Sequence, residues 1–239
     1  MTETDTTYFR LDQVRLQQLE KLGLGMRHFF DIGASNGSWS STMDGLFPGA
    51  TFDLFEPLVD LAPAYRDEMR ANLARLPRLR LHKVALGEKR QRLKMYLDTS
   101  NPANSTAIDW RTAPAEMARA EVEMTTLDDA VREFKLPQPD VIKMDIQGGE
   151  LSVLKGARKT LPHTKVLLLE CWVWRAYAQD TPLLLEIANW LRDFDFHLWD
   201  LGDESRYEGE LNTKDCLFMN ANCEISPLKN EPRLCPAAT

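Results

Sequence analysis

Phe29-Phe30-Asp31-Ile32-Gly33-Ala34-Ser35-Asn36-Gly37-Ser38 is the stretch whose reading decides the fold. Apolar residues run up to an acid, two glycines four apart follow, and Ser38-Trp39-Ser40-Ser41 can open a helix. The pattern is that of a strand, a tight turn and a helix start. Glycines let a backbone take left-handed angles and let a ligand come close, and a helix N-terminus offers it unpaired N–H groups. These ten residues alone fit a nucleotide-type cofactor loop and an ordinary strand-to-helix turn equally well.

Outward from this stretch, strands and helices alternate. Residues 8–22 space Phe9, Leu11, Val14, Leu16, Leu19 and Leu22 as on one face of a helix, ended by Gly23 and Gly25. A helix to about Leu46 and the turn Phe47-Pro48-Gly49 lead to a second strand, Thr51 to Glu56, stopped by Pro57. Residues 59–75 read as a helix and Leu79 to Leu86 as a third strand closed by Gly87. Strand-helix repetition of this kind builds a parallel sheet with crossover helices. Strands are also expected at Leu93–Leu97 and Val122–Thr125, with a polar insertion at 98–119 between them. Beyond these lie a short helix at Asp128–Phe134, a strand at Asp140–Ile146 and a helix from Glu150 to about Lys159. The strand Thr164–Glu170 is the most apolar, as expected of one covered on both faces. A helix at Leu183–Asp193 and strands at Phe196–Asp200 and Cys216–Met219 complete the order.

The expected organisation is a helical lead-in at 1–25, one α/β domain at 26–224 and a proline-bearing tail at 225–239. A chain of 239 residues is long enough to bury one sizeable core. With a net charge of −7 and scattered Lys and Arg, nothing marks a nucleic-acid surface. The polar, acidic Met1–Asp5 lacks the features of a secretory signal, and Val166–Trp174, interrupted by Glu170, is too short to span a bilayer. The expectation is therefore a cytoplasmic protein without membrane insertion. Cys171, Cys216, Cys223 and Cys235 have no zinc-type spacing and read as free thiols.

Three acids fall where strands end: Asp31, Glu56 and Asp145. Ligands of open parallel sheets bind at the carboxyl ends of the strands, so these acids should face one crevice. Glu56 lies about 20 residues beyond the glycine loop, the place from which a carboxylate accepts from both ribose hydroxyls. Two glycines enclosing Ala34-Ser35-Asn36 depart from the three of a dinucleotide loop.

Asp31-Ile32-Gly33-Ala34, Phe55-Glu56-Pro57, Ala85-Leu86-Gly87, Thr126-Leu127-Asp128 and Ile142 to Glu150, with Leu154, Gly156 and Ala157, together resemble the successive motifs of the FkbM family of S-adenosylmethionine-dependent methyltransferases. The resemblance spans about residues 28–220 and includes Leu169-Glu170 and Lys214-Asp215-Cys216-Leu217-Phe218. It implies a class I methyltransferase (Rossmann-like) α/β fold: a seven-stranded, mostly parallel sheet with an antiparallel last strand and helices on both faces. It also implies that Asp31, Gly33 and Gly37, with Ala34, Ser35 and Asn36 between them, hold the amino-acid end of S-adenosyl-L-methionine. Glu56, followed by Pro57, would then hold the ribose and Ala85-Leu86 the adenine, and Asp145, at the strand end closest to where the methyl group should lie, is counted with the cofactor-binding residues. Family members methylate hydroxyl oxygens of sugars, polyketides and related metabolites, so a small-molecule or glycan acceptor is implied. Three positions depart from the family pattern: Ser35 stands where Asn is common, Val84 likewise, and Gln147 stands where Glu is favoured.

Transfer to a hydroxyl requires removal of its proton, and the candidate catalytic residues are Asp145, Lys143, Glu150 and Glu170. Lys143 shares side-chain parity with Asp145, and pairing with Asp145 or Glu170 is the structural alternative to catalysis. Asp145, Glu150 and Glu170 could hold a divalent cation through oxygen ligands; with Gln147 in place of an acid, no metal site is assigned. His28, His82, His163 and His197 show no acid partner in the sequence. Within 98–119, Asn101, Asn104, Ser105, Thr106 and Trp110 suit a lid over a polyhydroxylated acceptor. Two other readings stay open, a nicotinamide-dependent oxidoreductase and a non-catalytic cofactor-binding module, and so does a homo-oligomeric state.

Overall fold

A computed structural model describes residues 11–61, 63–97, 118–175, 181–223 and 225. The insertion apart from its last two residues, the tail beyond Ile225, Cys235 and the proposed lid residues lie outside the described residues.

Seven strands form the main sheet: β1 (His28–Ile32), β2 (Thr51–Phe55), β3 (Leu79–His82), β7 (Val141–Met144), β8 (Val166–Trp172), β9 (Phe196–Tyr207) and β10 (Glu210–Asn220), in the order β3-β2-β1-β7-β8-β10-β9. The first five are parallel, and β10 runs antiparallel to both of its neighbours. The order reverses beside β1, which pairs with β2 on one side and β7 on the other, so the switch point lies at the carboxyl end of β1. β1 carries Phe29 toward one face and Phe30 toward the other, and each anchors a separate apolar cluster. One cluster includes Leu127, Leu154 and Ile187 from α4 (Leu127–Glu133), α5 (Glu150–Lys155) and α6 (Leu184–Leu191). The other includes Leu16, Met43 and Met69 from α1 (Leu11–Lys21), α2 (Ser38–Leu46) and α3 (Pro63–Arg75). The lead-in helix thus packs into the sheet core, where Asp12 also accepts from the buried Trp39 Nε1 at 2.8 Å.

Two differences from the expected elements matter. The strand expected at Leu79–Leu86 divides: β3 ends at His82, and β4 (Ala85–Leu86) joins β5 (Gln91–Leu97) and β6 (Ala118–Thr125) in a second sheet of order β4-β6-β5. Strand-compatible residues on both sides of Lys83 hid this break. The two strands expected at Phe196–Asp200 and Cys216–Met219 belong to a much longer hairpin, β9–β10, that continues past the end of β8. Its outer portion is polar and exposed, and it carries no alternating apolar signal.

Candidate functional site

The loop after β1 is held in shape by backbone conformation and by Glu56. Gly33, Ser35 and Gly37 have φ of 76°, 53° and 78°, three left-handed residues in five. A Cβ on Gly33 would lie 2.1 Å from the Asp145 carbonyl oxygen, so only glycine fits between the ends of β1 and β7. Gly33 N and Ala34 N donate to Phe55 O at 3.0 and 3.3 Å. Glu56 then accepts from Ser35 N at 2.9 Å through Oε2 and from Leu58 N at 2.8 Å through Oε1. Each oxygen has a second lone pair, so the carboxylate can still accept from a ligand. Burial pushes the Glu56 carboxyl up from its usual range, and the Leu58 and Ser35 N–H groups and Lys143 oppose the shift.

Asn36 bonds to the start of α2 and to α3. Its Oδ1 accepts from Ser38 N at 3.0 Å at the start of α2, while its amide donates to Glu68 and its carbonyl accepts from Asn72. Asp31, fully buried, accepts from Ser40 Oγ at 2.7 Å and pairs with Lys143 Nζ at 3.1 Å. The register explains the pair, because Asp31 and Lys143 are opposite each other on β1 and β7. Lys143 also donates to Gly33 O at 3.0 Å, and it lies 4.0 Å from Asp145 Oδ2. The pairing of this lysine with an acid is as expected, but its close partner is Asp31, not Glu170. Pro57 follows Glu56 directly, and Ala85 and Leu86 on β4 are buried a few residues beyond β3.

A second group gathers at the carboxyl ends of β7 and β8. Met144 is opposite Leu169, which brings Asp145 and Glu170 level, and Glu170 is opposite Asp215 on β10. Gln147 (φ 57°) and Gly148 (φ 99°) turn the chain sharply after Asp145. The Gln147 amide nitrogen donates to Asp145 Oδ1 at 3.1 Å and to Glu170 Oε2 at 3.0 Å. Thr213 Oγ1 donates to Glu170 Oε1 at 3.2 Å. Glu150, at the start of α5 and fully buried, accepts from Ile146 N and Gly148 N through Oε1, at 3.2 and 3.3 Å. Its Oε2 is buried without a hydrogen-bond partner among the described residues. Burial, opposed by those backbone N–H groups, pushes the Glu150 carboxyl up to about 7. Glu170 is pushed up to about 8, first by burial and then by the neighbouring Asp145, Glu150 and Asp215. The side chain of Asp145 is more than a third exposed, whereas Glu150 is wholly buried.

The structure therefore brings Asp31, Gly33, Glu56, Lys143 and Asp145 to one switch point and sets Glu150 and Glu170 beside it. Thr213 and Asp215 join this group, although neither was singled out as a site residue. The signal was present in Lys214-Asp215-Cys216, but the register that aligns Asp215 with Glu170 is invisible in sequence. His82 does have an acid partner, Asp53 Oδ1 at 2.8 Å from Nε2, on the neighbouring strand. Among the described residues, no group of three or more His, Cys, Asp and Glu side chains is arranged to hold a metal ion. Cys171, Cys216 and Cys223 are free thiols. No helix of the described residues is long and apolar enough to cross a membrane. A cavity of about 370 Å³ lies at the opposite, amino end of the sheet, lined by residues including Leu24, His163 and Lys165. Lys165 there is already committed to Leu24 O, Gly25 O and Asp140.

Comparison with known proteins adds three findings. A family model described as the methyltransferase FkbM domain matches residues 31–198. The 2-O-methyltransferase NoeI of Sinorhizobium fredii (strain NBRC 101917 / NGR234) is 29% identical over 170 residues, which are 64% of this chain and 66% of that protein. The crystal structure of methyltransferase FkbM from Methylobacillus flagellatus KT shares the fold, with a TM-score of 0.53 and 22% identity over 82% of this chain and 44% of that one. The chain thus spans just under two thirds of the first relative's length and less than half of the second's.

Proposed function

Because the chain belongs to the methyltransferase FkbM domain family, we propose that it is an S-adenosyl-L-methionine-dependent methyltransferase acting on a hydroxyl oxygen of a sugar or small metabolite. The carrying observation is the left-handed loop Gly33–Gly37 fixed to a buried Glu56 at the switch point of the sheet. That donor set suits a nucleoside with a free diol. Glu56 keeps acceptor capacity for both ribose hydroxyls, and Gly33 leaves room where any side chain would strike Asp145 O. The Ala85-Leu86 segment offers an apolar wall for the adenine. Bound there, S-adenosyl-L-methionine supplies an electrophilic methyl group on a sulfonium.

This chain's residues then have separate tasks. Lys143 ties Asp31 and the Gly33 carbonyl together and so holds the loop in place. Asp145 is the group we assign to the acceptor hydroxyl: it accepts that hydroxyl's hydrogen bond through an oxygen open to the crevice and takes its proton as the oxygen is methylated. Alignment of acceptor and donor in a site with little water supplies the remaining rate. Glu150 shapes the 146–148 turn through its bonds to two backbone N–H groups. The relative named as a 2-O-methyltransferase agrees with an oxygen acceptor, and neither relative named above is described as a nicotinamide enzyme.

The test is transfer of label from methyl-labelled S-adenosylmethionine to a panel of glycans and hydroxylated metabolites. Wild type should methylate at least one acceptor, and Asp145→Asn should lower the rate by 10²-fold or more, as expected when a proton acceptor is removed. Binding of S-adenosylhomocysteine without methylation of any hydroxyl would instead favour a binding module.

A further inference from the structure

Four carboxyl groups converge on the acceptor side of the site: Asp145 at the end of β7, Glu150 on α5, Glu170 on β8 and Asp215 on β10. Groups so placed repel one another when ionised, and Lys143, 4.0 Å from Asp145 Oδ2, is turned chiefly toward Asp31 and Gly33. What joins Asp145 and Glu170 is neutral. Gln147 adopts a left-handed φ of 57°, uncommon outside glycine, and the following Gly148 extends the turn. The amide thereby reaches both Asp145 Oδ1 and Glu170 Oε2 through one nitrogen. Its two N–H bonds match two acceptors, whereas a glutamate here would add a further charge and remove both donors.

We propose that Gln147 is a positioning residue for methyl transfer, whose amide nitrogen clasps the Asp145 and Glu170 carboxyl groups together and fixes the orientation of Asp145 toward the acceptor hydroxyl. The clasp rests on the methyltransferase reading for its purpose, but its existence is testable without any acceptor. An N–H donated to a carboxylate favours the ionised form, so removing it makes the group harder to ionise. The groups that face the clasped pair are Glu150, Asp215, the Thr213 hydroxyl and the Lys143 ammonium, and substitution at 147 leaves them all in place.

The experiment is ¹³C-carboxyl NMR titration of the glutamate-labelled full chain, with the Glu170 signal identified by its loss in Glu170→Gln. In Gln147→Met, which keeps the length and lacks the donors, the Glu170 midpoint should rise by about one pH unit. Gln147→Asn, suited to a left-handed backbone but too short to span both acids, should show the same direction and provides the test if Gln147→Met does not fold. A residue that only shapes the turn would lower thermal stability and leave the midpoint where it is in wild type. An unchanged midpoint in a folded variant overturns the proposal. Calorimetry with S-adenosylhomocysteine separates the two readings: failure of wild type to bind refutes the methyltransferase assignment and leaves the titration result standing. Intact binding with an unmoved midpoint refutes the clasp alone.

Discussion

Replacing Lys143 by Met separates a structural lysine from a catalytic one. Lys143 Nζ lies 3.1 Å from Asp31 Oδ1, the lysine is nearly buried and the aspartate wholly so. At that distance and an effective dielectric near 20 the attraction is about 5 kcal/mol, offset in part by the cost of desolvating both ions. Methionine fills similar volume but strands a buried carboxylate with only Ser40 Oγ as hydrogen-bond donor among the bonds described. Breaking a buried pair on one side costs about 3–5 kcal/mol. Urea denaturation at pH 7 should therefore show Lys143→Met less stable by about 3–5 kcal/mol. Adding Asp31→Asn should recover about 1–2 kcal/mol of that loss, because no unpaired charge then remains. S-adenosylhomocysteine affinity should fall with the loss of the bond to Gly33 O. A loss under about 1 kcal/mol, or a double variant as weak as the sum of the two singles, would refute the reasoning.

Two further outcomes follow from the same geometry. Gly33→Ala places a methyl group 2.1 Å from a backbone oxygen at φ 76°; strain and overpacking together should cost about 2–4 kcal/mol by denaturation and abolish S-adenosylhomocysteine binding in calorimetry. Stability should also fall with rising pH above about 4.5. Glu150 and Glu170 have folded values near 7 and 8 against 4.5 for the ordinary group, so the folded chain holds protons that the unfolded chain has released. Their contribution is fully present below about 4.5 and is lost as pH rises through 7 to 8, at up to about 1.4 kcal/mol per pH unit for each group. Differential scanning calorimetry should show a clear decline in Tm from pH 5.5 to 8.5, and a flatter one in Glu150→Gln.

Much of this arrangement is legible in the chain itself, where its signals are local. The strand ending in Asp31-Ile32-Gly33 and the acid at Glu56 mark the carboxyl edge of the sheet because strand, turn and acid are contiguous. The break between His82 and Ala85 escapes the apolar pattern, since both sides of it are strand-like and only the sheet they join differs. Register is likewise hidden. That Lys143 meets Asp31, and that His82 meets Asp53, depends on which residues come level on adjacent strands. Gln147 reads in sequence as a missing acid, and only its backbone angle shows that the amide donates to two acids. Thr213 and Asp215 reach the site because the polar hairpin β9–β10 lies against β8, a long-range pairing without an alternating apolar signature.

The central claim is that the Gly33–Gly37 loop and Glu56 form an S-adenosylmethionine site. Isothermal titration calorimetry of the full chain with S-adenosylhomocysteine tests it most directly. Wild type should bind one equivalent, and Glu56→Ala should bind at least tenfold more weakly, a loss of about 1.4 kcal/mol or more. NADH should give no heat. Undiminished binding by Glu56→Ala, or binding of NADH in place of S-adenosylhomocysteine, would contradict the account.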